Sequence, residues 1–177
     1  KKCGISSARA GNVIGGGDWS DNRLIPDCIR SIIKKKTIII RNPNFNRPWQ
    51  FVLEPLKGYL MLAKEQYQNP NKYSGAWNFG TKPRSVTNVK EIVKLIIYYW
   101  GQGNLKVHSK KNYYEQHNLQ LDIAKAKEKL NWWPSYSISK SVQVTTEWYY
   151  KVLKLKENPE TVTNNQIEKF MYENNWR

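Results

Sequence analysis

The order of secondary-structure signals along this 177-residue chain predicts an α/β fold. Short β-branched or apolar runs such as "TIIIR" (37–41) and "GAWNFG" (75–80) alternate with longer stretches of helical periodicity. Glycine and proline punctuate the joins, as in "IGGGDW", "RNPNFNRPW" and "GQG". The composition agrees: 40% of residues are hydrophobic, with eight Trp and eleven Tyr, enough for a packed core in one domain.

Taken in order, "CGISSAR" (3–9) predicts a short buried strand running into the glycine loop. "RLIPDCIRSIIKKK" places Ile25, Ile29, Ile32 and Ile33 on one helical face, with Pro26 in the first turn, where its missing N–H costs nothing. "TIIIR" reads as a strand and 41–49 as an irregular segment. A helix then starts near Glu54-Pro55, predicted to bury Leu56, Leu60 and Ala63. After the strand at 75–80, Thr87 is positioned to cap a helix with the stripe Val89, Ile92, Val93, Ile96 and Trp100, ended by "GQG". Asp122 is positioned to cap "IAKAKEKL", with Asn131 as its left-handed stop. A last long helix covers about 139–154, followed by a polar tail with one amphipathic turn, "QIEKFMYE".

Charge is the loudest global feature: 29 basic against 14 acidic residues give a net +15. The lysines are scattered, and the one run, Lys34-Lys35-Lys36, falls at a helix end, where cations suit the dipole. No helix-turn-helix, zinc-finger or RNA-recognition pattern accompanies them, so solvated surface lysines plus an anionic small ligand explain the charge better than nucleic acid. The longest apolar run, "LIIYYW", is far short of the roughly 18 residues a membrane span needs. Cys3 and Cys28 have no metal spacing and suggest two reduced thiols in a cytoplasmic protein. "KKCGISSARAG" has neither the apolar stretch of a signal peptide nor an initiator Met, and the expectation is a chain that starts inside a longer protein.

The catalytic patterns are thin. A dinucleotide loop needs G-x-G-x-x-G where a strand meets a helix, whereas Gly15, Gly16 and Gly17 are contiguous and "DWSDN" intervenes. Tyr136/Lys140 and Tyr150/Lys154 both fit Tyr-x-x-x-Lys, but a chain this rich in Tyr and Lys yields such matches by chance. His108 and His117 lack metal-site spacing, and no G-x-S-x-G elbow occurs. Glu54 and Asp122 are more simply caps or surface carboxylates than acids or bases, whereas Glu115 lies in a motif described next.

Seven stretches together resemble the CDP-glucose 4,6-dehydratase family of extended short-chain dehydrogenases. They are "ARAGNVIGGGDW" (8–19), "RLIPD" (23–27), "RNPNFNRPWQFVLEPLKGYLMLA" (41–63), "WNFG" (77–80), E-x-x-x-L-x-L-D (115–122), "KAKEKLNWWP" (125–134) and "EWY" (147–149). They run in the family's order, with Phe51 where the family usually has His and Asn131 where it has Gly. The resemblance implies the C-terminal half of a Rossmann-like fold: late sheet elements (about 3–12 and 75–100) plus a small mixed α/β substrate-binding domain. The half with the NAD loop and the catalytic Tyr-x-x-x-Lys would then lie outside these residues, leaving no catalytic residue and no metal site in this chain.

The implied activity is that of an NAD-dependent lyase of deoxysugar and O-antigen biosynthesis, in a homodimeric full-length enzyme. CDP-glucose is oxidised at C4, loses water across C5–C6 and regains the hydride at C6, giving CDP-4-keto-6-deoxyglucose. By the same resemblance Ala10 and Gly11 lie near the nicotinamide and Asn12 turns its amide to the sugar diphosphate. Arg47 grips the diphosphate with a planar, permanently charged fork. Arg23 is either a second phosphate contact or a solvated cation at the helix entry, with Leu24 beside it among the substrate-binding residues; Ile40 and Arg41 lie beside the nucleobase, and Glu115 and Asn118 where the family closes over the nucleotide. Trp132, Trp133, Trp148 and Tyr149 read as core. A related enzyme acting on UDP-, GDP- or dTDP-sugars, or a basic nucleic-acid-binding module, remains an open alternative.

Overall fold

The computed structural model describes residues 3–83, 85, 87–108 and 120–176. In chain order the elements are β1 (Ser6–Ala10), β2 (Val13–Ile14), α1 (Leu24–Ile33), β3 (Ile38–Ile40), β4 (Asn46–Arg47), β5 (Gln50–Phe51), α2 (Leu53–Gln68), α3 (Pro70–Tyr73), β6 (Gly75–Phe79), β7 (Thr87–Asn88), α4 (Val89–Trp100), β8 (Leu105–Val107), α5 (Ala124–Leu130), α6 (Ile138–Leu153) and α7 (Pro159–Glu173). The strands form four pairs. β1 runs parallel to β6, with Ser6 opposite Gly75 and Ala10 opposite Phe79. β2–β5 and β3–β8 are also parallel, and β4–β7 is antiparallel. Parallel pairs joined through helices are the signature of an α/β fold, as the alternation predicts.

The main core gathers α1, α4 and α6. Ile29, Ile92, Val93, Ile96, Val142 and Tyr149 are fully buried there, beside Ile38 and Ile40 of β3. A second cluster places Trp77 and Phe79 of β6 against Leu62, Ala126 and Trp132. Trp132, Trp148 and Tyr149 are therefore core residues, while Trp133 is half-buried with Lys127 over its ring.

Helix ends follow local chemistry. Gly101 ends α4 at φ 85°, and Asn131 ends α5 at φ 49°, both left-handed as the sequence predicts. The N-cap of α4 is Asn88, whose side chain accepts from the Glu91 amide; Thr87 instead belongs to β7, where its backbone pairs with Arg47. Asp122 precedes the Ile123 N-cap and accepts the Ala124 amide at 2.9 Å.

Four other expectations are corrected. The tail is a 15-residue helix, capped by Asn158, opened by Pro159 and anchored by Val162 and Phe170. Ile33 is 47% exposed because the core meets only Ile25, Cys28, Ile29 and Ile32 of α1. The strand β1 is not buried: Ser7, Ala8 and Arg9 are all exposed. Finally, α2 faces the other way from its predicted stripe. Its buried residues are Glu54, Pro55, Gly58 and Leu62, whereas Leu56, Leu60 and Ala63 are exposed. The reason is Gly58, where an added Cβ would collide with the Phe79 ring and meet Trp132 Nε1 at 3.0 Å. The helix thus approaches β6 through its smallest residue and turns its leucines outward.

Candidate functional site

Two adjoining cavities share Asn12 and Trp49 as common wall. The larger, about 480 Å³, is lined by Asn12, Leu24, Ile40, Arg41 and Arg47, together with Asp27, Asn42 and Phe45. The smaller, about 340 Å³, is bounded by Asn12, Arg23, Leu24, Asp18 and Asp21. Asn12 reaches this position because it sits in the bend between β1 and β2, and its backbone carbonyl accepts the Gln50 amide at 3.0 Å. Arg47 arrives from β4. Its Nη1 donates to the Asn46 carbonyl at 3.0 Å, and its guanidinium stands 5.4 Å from the centre of the Phe45 ring. Two cations and an amide therefore converge on one concave surface whose apolar wall is Leu24, Ile40 and Trp49. That combination suits an anionic group joined to a flat or apolar one.

Of the ten predicted site residues, Asn12, Leu24, Ile40, Arg41 and Arg47 share the larger cavity, and Arg23 borders the smaller one. Ala10 ends β1, and Gly11 follows, packed against Pro48: a Cβ there would lie 3.0 Å from Pro48 Cγ and 3.2 Å from its carbonyl oxygen. Glu115 and Asn118 lie outside the described residues. Asn42, Phe45 and Trp49 also line these cavities and were not among the predicted site residues. The proline-bounded irregularity of 43–48 was the available signal, since such segments put side chains on a surface rather than into a ladder.

The glycine run answers to packing. A Cβ at Gly16 would overlap the Trp148 ring, one at Gly15 would meet Val52 Cγ1 at 2.8 Å, and Gly17 has φ 80°. The bend is pressed onto α6 and the start of α2, which fixes the path from Asn12 to Asp18. Tyr149 reinforces it by donating to the Asp18 carbonyl at 2.6 Å; burial first, and the nearby Asp18 charge second, push its phenol up to about 12. Asp18 is held below the usual carboxylate range. Desolvation opposes that shift, but hydrogen bonds from the Ser20 backbone and side chain, with Arg23 and Arg30 nearby, outweigh it.

The remaining titratable candidates serve structure. Glu54 is 1% exposed rather than a surface carboxylate, and its Oε1 accepts from the Ser135 amide, the Ser135 hydroxyl and the Tyr136 amide at 2.7–2.9 Å. It braces the turn before α6. Tyr136 donates to Glu173 at 2.6 Å; burial and that bond raise its pKa, the wrong direction for a proton-transfer phenol. Tyr150 packs edge-on against Trp100. Among the described residues no group of His, Cys, Asp and Glu is arranged to hold a metal ion, and no helix is long and apolar enough to cross a membrane.

Comparison with known proteins supplies the fold family. The solved dTDP-glucose 4,6-dehydratase of Bacillus anthracis, in complex with NAD, shares the fold at a TM-score of 0.67 and 18% identity, over 83% of this chain and 45% of that one. UDP-glucose 4-epimerase of Thermotoga maritima, solved with UDP-glucose, gives a TM-score of 0.66 and 25% identity over 84% and 46%. No family model matches. The chain has the Rossmann-like fold of the sugar-nucleotide dehydratases and epimerases.

In sequence the chain matches a curated relative more closely than these structures. Over 147 residues, 82% of the chain, it is 42% identical to CDP-glucose 4,6-dehydratase of Salmonella typhimurium, and it is a homologue of that enzyme. It spans about two fifths of that relative's length and less than half of the solved structures it matches.

Proposed function

We propose that this chain is the nucleotide-sugar-binding part of a CDP-glucose 4,6-dehydratase. One observation carries the reading: Asn12 and Arg47, separated by 35 positions, line the same cavity, with Arg41 beside them. Arg47 and the Asn12 amide hold the diphosphate, and Arg23 in the adjoining cavity supplies a further cation. Leu24 and Ile40 give the base an apolar bed, with Arg41 at its edge. Glu115 and Asn118 complete the nucleotide contacts in this reading. The elements around 3–12 and 75–100 are late strands of the sheet, and the rest forms the substrate-binding part.

NAD, when bound, supplies the hydride acceptor and donor. Ala10 and Gly11 fit a place beside it, because they end a parallel strand with small side chains, where ligands of open α/β sheets bind. Gly11 already rests against Pro48, so what the chain offers there is backbone. Its own residues anchor the sugar. Such positioning makes the reaction effectively intramolecular and accounts for up to about 7–11 kcal/mol of barrier in favourable cases. The reading includes a homodimeric, cytoplasmic full-length enzyme and no turnover by these residues alone.

Calorimetric competition between CDP-glucose and its UDP, GDP and dTDP counterparts tests the assignment. CDP-glucose is expected to bind tightest, with an affinity that falls far less steeply with salt than the binding of DNA by a multi-phosphate interface would. Equal binding of all four would remove the cytidine assignment. Tight, steeply salt-dependent binding of DNA with indifference to CDP-glucose would remove the reading altogether.

A further inference from the structure

Between β2 and α1, residues 15–23 belong to no strand or helix, yet Gly15, Asp18, Asp21 and Arg23 border the smaller cavity beside Asn12. A third hollow of about 330 Å³ follows the same bend, lined by Gly15, Gly16, Asp18, Ser20 and Arg23 among others. Side chains from elsewhere hold this backbone. Arg30 donates to the Trp19 carbonyl at 3.0 Å and to the Ser20 carbonyl at 3.1 Å, and Tyr149 takes the Asp18 carbonyl. Trp148 supplies a further support, its indole lying so close to Gly16 that no Cβ fits between them.

Trp148 is in turn set by α7. Its Nε1 donates to Thr163 Oγ1 at 2.9 Å, and that hydroxyl donates to the Pro159 carbonyl at 2.8 Å. With its hydrogen and a lone pair both engaged, the hydroxyl has a fixed direction, and so has the indole bonded to it. Trp148 is 7% exposed, and a largely buried indole N–H that loses its acceptor favours any rotation that finds another. An indole packed on backbone cannot rotate without moving that backbone, because protein interiors are close-packed. Thr163 itself is exposed and borders none of the three cavities.

We propose that Trp148, oriented by Thr163, is a positioning residue for the bend, so that α7 sets the shape of the ligand cavities from outside them. A displaced indole releases Gly16, and with it the path that carries Asp18 and Arg23 to their places beside Asn12. The ligand used to test this rests on the nucleotide-sugar reading; the clamp rests on contacts within the chain.

Two measurements on the chain keep these apart: amide hydrogen exchange of residues 15–22 without ligand, and calorimetric titration of CDP-glucose. Thr163→Val keeps the branched shape and removes the hydroxyl. With the protein still folded by circular dichroism, it should speed exchange in the bend more than in α4. It should also weaken CDP-glucose binding roughly two- to tenfold, the effect of one hydrogen bond. Trp148→Phe, an aromatic ring without the donor, should act in the same direction. Thr163→Ser keeps the hydroxyl and should behave as wild type in both measurements. Thr161→Val, at another exposed threonine of the same helix, should change neither. Unchanged bend exchange in Thr163→Val, unchanged affinity where the wild type binds, equal effects from Thr161→Val or a serine variant as impaired as valine would overturn the proposal. A wild-type chain indifferent to CDP-glucose would remove the nucleotide-sugar reading, and bend exchange in Thr163→Val would still decide the clamp.

Discussion

Helices α2 and α4 each carry an apolar stripe in sequence, the weaker one in α2, and the two stripes have opposite fates. The stripe of α4 disappears into the core, with Ile92, Val93 and Ile96 inaccessible to solvent, whereas Leu56, Leu60 and Tyr67 of α2 face outward. Hydrophobic spacing identifies a face that seeks cover. It does not say which side of a helix tertiary packing will cover. In α4 the cover is α1 and α6; in α2 the inward side is taken by Gly58 and Leu62 under Phe79 and Trp132.

The largest effect expected from this contrast comes from matched substitutions. Ile96→Asp buries an unpaired carboxylate and should destabilise by on the order of 4 kcal/mol or more. Leu60→Asp changes an exposed position and should stay within about 0.5 kcal/mol. Urea denaturation of both separates the two outcomes, and equal losses would erase the distinction between the helices.

Gly58→Ala sharpens the comparison from the side of α2. Its methyl group would run into Phe79, and overpacking of this kind costs roughly 1–3 kcal/mol, even though alanine is the better helix former. A stabilised variant would mean that the close approach of α2 to β6 does not set the helix's orientation.

The two thiols report the same contrast more gently. Cys28, buried in the α1 core, is pushed up to about 12 by desolvation, with Asp27 adding to it, whereas Cys3 stands exposed beside β1. An acid whose folded pKa is raised contributes stability below its unfolded value, about 8.5, and loses it as pH rises from there toward 12. Stability should therefore decline in that alkaline window, less so in Cys28→Ala. One thiol should react with a disulfide reagent in the native protein and two after denaturation.

Much of this was legible beforehand where a residue type has a single local use. Gly101 and Asn131 stop helices because they accept left-handed backbone, and "TIIIR" becomes a strand with its outer isoleucines, Ile38 and Ile40, buried. Asn12 and Arg47 were also legible as a pair, through motif resemblance, although no periodicity brings 12 beside 47. What escaped depends on tertiary contacts. The role of Gly16 is set by Trp148, more than a hundred residues away, and the buried bracing by Glu54 depends on a turn at 135–136. Helix α7 was underestimated because it buries so little, although Asn158-Pro159 is a good start signal.

The cradle formed by Asn12 and Arg47 is the claim on which the functional reading depends. Titrating CDP-glucose into the wild-type chain, Arg47→Ala and Leu60→Asp measures it directly. Loss of a charge-assisted contact worth about 1.5–3 kcal/mol should weaken binding to Arg47→Ala roughly 10- to 150-fold, while Leu60→Asp binds as wild type. Undiminished affinity in Arg47→Ala would contradict the account.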